Sequence, residues 1–182
     1  MKAALLFCPG LMDSLSHSPI FDERTIKMSD EPETRVDYRH IRPIQTRWGD
    51  NDMYGHVNNV VYYSYFDTAV NMFLIEEGGF APHAAEVIGI CPETRCRFIE
   101  SVAYPDALEA GLRIIKLGTS SACYEIGIFK VGKEHAVAAG YFVHVYVERA
   151  SNRPVPIPAP IRAALESIQV PGQVPATDNA AA

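Results

Sequence analysis

Residues 50–79 read DNDMYGHVNNVVYYSYFDTAVNMFLIEEGG, a crowded polar head followed at once by an apolar, aromatic run. The run decides the fold. Tyr62, Phe66, Ala69 and Phe73 recur at i, i+4, i+7 and i+11, the spacing of one face of an α-helix. Val61, Tyr65 and Leu74 carry apolar surface most of the way round. A helix so apolar, from about residue 58 to 77, is one that its surroundings bury. Gly78 and Gly79 supply the stop.

Upstream, residues 37–48 read DYRHIRPIQTRW, a strand-like stretch in which Pro43 implies an edge or a bulge, because proline cannot donate to a ladder. Downstream, four strand-like stretches fall near 93–103, 107–117, 121–131 and 136–148. The turns between them, YPDA, LGTSS and VGKEH, are short, which predicts antiparallel hairpins, since parallel neighbours need long crossovers. In YFVHVYV, Tyr141, Val143, Val145 and Val147 share one side, and Phe142, His144 and Tyr146 the other. His144 therefore reads as a sheet residue with an ordinary hydrogen bond. RPVPIPAPIRAAL leaves the sheet through a proline-rich connector, with a short helix expected over Ile161 to Ile168. The pattern is α+β: an antiparallel sheet whose concave face wraps one long central helix. Residues 1–35 read as a flexible leader, with Met28 an alternative start, 36–168 as the domain, and 169–182 as a flexible tail.

Composition excludes several roles. A net charge of −6 argues against nucleic acid, which needs a basic face. No apolar run reaches the roughly 18 residues of a membrane span, and the opening MKAALLFCPG is too short in apolar core for an export signal. Cys8, Cys91, Cys96 and Cys123 form no CxxC pair and no zinc pattern, so free thiols in the cytoplasm are expected.

The polar head admits three chemistries. As a calcium loop, Asp50, Asp52 and Gly55 fit positions 1, 3 and 6, but Tyr54 and Val61 stand at positions 5 and 12, where ligands belong. The metal reading fails there. As a plain turn, Asx residues and glycine suffice, with Asn58 or Asn59 capping the helix. As a working edge, the helix start offers unpaired N–H groups that can hold an oxyanion, beside an aspartate that can activate water or attack.

RWGDNDMYGHVNNVVYYSYFDTA resembles the D-x-D-x-x-G-H-V-N-N-x-x-Y signature of hotdog-fold acyl-CoA thioesterases, the group of 4-hydroxybenzoyl-CoA thioesterase. CRFIESVAYPDALEAGLRIIKLGTSSACYEIGIF and ERASNRPVPIPAPIRAAL are similar to the family's middle strands and ending, so the resemblance spans about residues 36 to 168. It implies a hotdog fold, a homodimer or homotetramer with sites between subunits, and an acyl-CoA substrate with no separate cofactor. The family's catalytic carboxylate falls on Asp52, and its oxyanion donor on the backbone amide of Asn59 or an immediate neighbour. His56 orients the turn or lines the pocket, Asn58 caps the helix and can contact substrate, and Asp67 supports the site from the helix. The segment that helps hold coenzyme A matches Lys116, Thr119, Ser120 and Ser121. Two rival readings stand beside hydrolysis: an enoyl-CoA hydratase using Asp52 and His56, and a non-catalytic acyl-CoA-binding protein.

Overall fold

The computed structural model describes residues 33–170. Five strands, β1 (His40–Gln45), β2 (Val87–Phe98), β3 (Ala107–Leu117), β4 (Ser121–Lys130) and β5 (Ala138–Glu148), form one sheet in the order β1-β3-β4-β5-β2. Every pairing is antiparallel. A long helix, α1 (Asn59–Glu76), lies against the sheet, and a short one, α2 (Ala159–Ser167), follows it near the end of the chain. This is the α+β hotdog architecture.

The helix buries Tyr62, Tyr65, Phe66, Ala69, Val70, Phe73 and Leu74. They share a core with Leu108, Ala110, Leu112 and Ile114 of β3, Tyr124, Ile126 and Ile128 of β4, and Phe142 and Tyr146 of β5. At the far end Gly79 takes a left-handed φ of +63°, and Phe80 N–H donates to Leu74 O at 2.9 Å, closing off the helix. His144 faces the same core, buried beside Tyr124 and Tyr146, with Tyr124 Oη 3.5 Å from its Nδ1. Burial pushes its pKa down to about 4, so the ring is neutral.

β1 pairs on one side only, so Pro43 sits on an edge strand as its chemistry requires. The strand expected over 93–103 is corrected to Val87–Phe98, and the expected hairpin with β3 does not form. β2 pairs with β5 at the opposite edge, and residues 99–106 carry the chain across the end of the sheet. Three strand spacings are about 14 Å, well within the reach of eight residues, so a short connection does not by itself specify a hairpin. A register shift between Ile90 and Glu93 breaks the alternation that would have marked the strand.

On the outer face of the sheet, Tyr38 lies across the paired glycines Gly111 and Gly127. Its ring meets Phe129 edge-on at 5.5 Å, and the Arg113 guanidinium stands 4.9 Å from its centroid. Arg113 also bridges two buried carboxylates, Glu125 at 2.5 Å and Glu33 at 2.9 Å. The chain thus makes contacts of the fold from Glu33 onward, slightly upstream of the expected boundary at 36. The rest of the expected leader, with Met28, and the tail beyond residue 170 lie outside the described residues. None of the described helices is long and apolar enough to cross a membrane.

Candidate functional site

The polar head folds as a chain of short-range hydrogen bonds between β1 and α1. Trp48–Asp50 make one turn of 3-10 helix. Asn51 and Val57 then pair as an isolated bridge, and within it Asp52 N–H donates to His56 O at 2.9 Å. Gly55 N–H closes the turn on Asp52 O at 3.1 Å. Gly55 stands at φ +83°, a left-handed conformation that costs a glycine little and a side-chain-bearing residue more.

Asp52 is half-buried, and its Oδ1 accepts the Tyr54 amide at 2.8 Å. Its Oδ2 has no partner among the described residues. The helix begins immediately beyond the turn. Asn58 is the cap: its Oδ1 accepts Val60 N–H at 3.1 Å, and its carbonyl accepts Val61 N–H at 2.9 Å. The Asn59 amide, first in the helix, has no acceptor among the described residues. One carboxylate oxygen and one helix-start donor are therefore both left over, a few residues apart in chain.

Asp50 behaves differently from its neighbour two positions on. It is 3% exposed, and its Oδ2 accepts both the Tyr65 hydroxyl and the Arg47 amide at 2.7 Å. The Arg47 guanidinium reaches Oδ1 at 3.0 Å, and the Asp50 carbonyl accepts Asn58 N–H at 2.9 Å. Burial alone would raise the carboxyl's pKa, but Tyr65 and Arg47 together hold it below the ordinary value. Asp50 is thus an ionised structural anchor that ties the turn to the second turn of α1. The polarity of Tyr65 is the signal that could have found it, because a buried tyrosine hydroxyl needs a partner where a phenylalanine would not.

The crossover after β2 forms the other wall. Val57 N–H donates to Val102 O at 2.8 Å, and Tyr104 N–H to Asn51 Oδ1 at 3.0 Å. Tyr62 and Phe98 meet at 5.1 Å, and Trp48 and Tyr104 at 6.0 Å. Trp48, Met53, Tyr54, Val60, Phe98, Ile99 and Tyr104 are seven of the ten exposed large hydrophobic residues among those described. So apolar surface surrounds the Asp52 turn.

The remaining expected site residues are dispersed. His56 is exposed, and its carbonyl rather than its ring serves the turn. Asp67 is exposed on α1, about 12 Å of helical rise beyond Asn59, with its Oδ1 accepting Asn71 Nδ2 at 3.0 Å. Lys116, Thr119, Ser120 and Ser121 lie at the far end of β3 and the turn into β4. Asp106, at the near end, is bonded through its carbonyl to Thr46, so these residues stand roughly 30 Å along the strand from the Asp52 side. The Ser120 carbonyl accepts Tyr146 N–H at 2.7 Å, and the Thr119 carbonyl accepts Ile157 N–H at 2.9 Å. Within one chain the two groups do not meet.

Other chemistries have little here. Burial pushes the thiols of Cys96 and Cys123 up to about 12, where they are poor nucleophiles. No group of three or more metal-binding side chains comes together among the described residues.

Residues 46–165 match the model of the thioesterase-like superfamily. The PA5185 protein of Pseudomonas aeruginosa is 52% identical, with a TM-score of 0.76, over 76% of this chain and 97% of that one. The PA2801 protein of the same organism, a proposed thioesterase, is 31% identical over 69% of this chain and 97% of that one, with a TM-score of 0.64. The gentisyl-coenzyme A thioesterase BH1999 is 25% identical over 69% and 99%, with a TM-score of 0.62. No curated protein matches.

Proposed function

The chain belongs to the thioesterase-like superfamily, and on that premise we propose that it is an acyl-CoA thioesterase, within the 4-hydroxybenzoyl-CoA group that its D-x-D-x-x-G-H-V-N-N motif resembles. The observation that carries the reading is an Asp52 Oδ2 unpartnered among the described residues, just ahead of a helix start whose Asn59 amide has no acceptor among them. Asp52 takes a proton from water as the water oxygen bonds to the acyl carbon. The Asn59 amide holds the resulting oxyanion, a donor of the kind worth about 10²–10³ in rate. Collapse expels the coenzyme A thiolate, which takes up the proton, leaving a free acid. In the covalent variant Asp52 itself attacks, and water then cleaves the mixed anhydride. Label in the Asp52 carboxylate after a single turnover in ¹⁸O-water identifies the covalent route with water attacking the aspartyl carbon, whereas trapping of an acyl-enzyme by acid quench detects the anhydride when water attacks the acyl carbon instead.

A second copy of the chain completes the site in this reading. Two features support that: the apolar surface around the Asp52 turn, and the distance of Lys116, Thr119, Ser120 and Ser121 from it. Coenzyme A held by those residues would therefore belong to the partner's end of the assembly. Light scattering with size exclusion reads the state directly, and a monomer at working concentration would remove this part.

The decisive test is thiol release from a panel of fatty and aryl acyl-CoA thioesters. Gentisyl-coenzyme A is included because a relative bears that name. Asp52→Asn should lower kcat by about 10²-fold with KM little changed. Near-wild-type turnover by that variant would remove Asp52 from the mechanism, and hydration of an enoyl-CoA without thiol release would replace the reaction.

A further inference from the structure

Asp50 and Tyr65 form a buried contact that the reaction as drawn does not use. We propose that they are positioning residues: their hydrogen bond locks the Asp52 turn to α1 and thereby sets Asp52 against the Asn59 amide. This rests on the thioesterase reading for its catalytic consequence, though the lock itself does not.

The connectivity makes the case. Tyr65 lies on the second turn of α1, on its buried face, and reaches back 15 residues to Asp50. Asp50 in turn holds both flanks of the turn. Its carboxylate takes the Arg47 amide before it, and its carbonyl takes the Asn58 amide after it. Asp52, Gly55 and His56 hang between these fixed points, held otherwise by three bonds within the turn and by the Val57 and Asn51 links to the crossover. Without the Tyr65 hydroxyl, the Asp50 carboxylate loses the one tie to the body of the helix that it has among the described residues. Arg47, the remaining side-chain partner, is largely exposed and cannot fix a position in the same way. A misplacement of about 1 Å between a reacting group and its partner is enough to cost up to about 100-fold in rate.

Arg47 has the opposite character. Its guanidinium neutralises Asp50 from the solvent side, so it sets charge rather than geometry. Removing only the tyrosine hydroxyl therefore isolates the positional part, because the carboxylate keeps its countercharge.

The test uses the full chain and three variants, Tyr65→Phe, Asp50→Asn and the double substitution. Two readouts are needed. Backbone hydrogen exchange over residues 51–60 reports the lock without reference to any reaction. Steady-state kinetics on the best thioester of the panel report its catalytic effect. In Tyr65→Phe, exchange over 51–60 should quicken by about tenfold while the interior of α1 is unchanged, and kcat should fall by about tenfold with KM within twofold. The loss of kcat in the double variant should be smaller than the product of the two single losses, since the two residues act in part through one shared bond. Unchanged exchange over 51–60 in Tyr65→Phe overturns the lock. Quickened exchange with unchanged kcat overturns its catalytic role, as does a rise in KM with kcat constant. If the wild-type protein releases no thiol from any thioester, the reading of the site fails instead, and exchange alone decides the lock.

Discussion

Gly111→Ala is the sharpest test of how the outer face of the sheet is packed. A Cβ at this position would stand 2.6 Å from Tyr38 Cγ and 2.9 Å from its Cβ. Those atoms are the stem of the side chain, not a flexible tip, so the ring cannot swing clear. Its far end is equally confined, with Cζ and the hydroxyl 2.8 Å from where a Cβ on Gly127 would lie. Overpacking of this kind costs about 1–3 kcal/mol. At about 2 kcal/mol, the melting temperature should fall by about 4–8 °C for a domain of this size. Tyr38→Ala alone should cost about 3–5 kcal/mol, as for other buried aromatic side chains. In that background Gly111→Ala should cost less than about 0.5 kcal/mol, because the obstacle is gone. Urea unfolding of the four proteins at one fixed concentration measures the cycle. Equal destabilisation by Gly111→Ala in both backgrounds would refute the packing argument, as would a melting temperature within about 1 °C of wild type.

Two of the three buried carboxylates among the described residues, Asp50 and Glu33, should pull stability in opposite directions with pH. Asp50 has a lowered pKa in the folded state, so the stability it contributes is present above the ordinary carboxylate value and lost as pH falls through the folded one. Melting temperature should therefore drop less steeply on acidification in Asp50→Asn than in wild type, and a parallel decline would sink the assignment. Burial and Glu125 raise the pKa of Glu33, so its contribution is present below the ordinary value and lost as pH rises through the raised one. Glu33→Gln should flatten that second decline, and an unchanged profile would count against it. Gly140→Ala should abolish soluble folded protein, because its Cβ would overlap the Arg95 carbonyl oxygen and come within 2.7 Å of Phe66. A cooperative unfolding transition close to that of wild type would show the site to be roomier.

Much of this molecule was legible in the sequence, for identifiable reasons. The central helix announced itself because its buried residues keep helical spacing from Tyr62 to Leu74, within 18 helical residues followed closely by two glycines. The hairpins β3–β4 and β4–β5 were legible because their turns are short and their strands adjacent. The partner of β2 was not, since pairing across the sheet depends on curvature and on contacts with the helix start, neither of which is local. The two aspartates of DND look alike in sequence. Their division of labour depends on Tyr65, 15 residues from Asp50, and on which of the two carboxylates the fold encloses. Lys116, Thr119, Ser120 and Ser121 illustrate a further limit: a motif names residues, whereas the distance between them belongs to the length of β3.

The crossover of residues 99–106 bears on the order in which the chain can assemble. The β3–β4–β5 meander closes through turns of a few residues, whereas β2 meets β5 across 40 to 61 residues of chain. Closing the longer loops costs about 2 kcal/mol more in chain entropy than closing a seven-residue turn. The meander is thus the cheap part of the search, and the two edges are the expensive part. Asp52 and Asn59 lie in the segment between β1 and β2, pinned to the crossover itself at Val102 and Tyr104. The proposed chemistry and the costly closures thus share one place, and a chain caught with its edges undocked would hold the three-stranded meander without the proposed site.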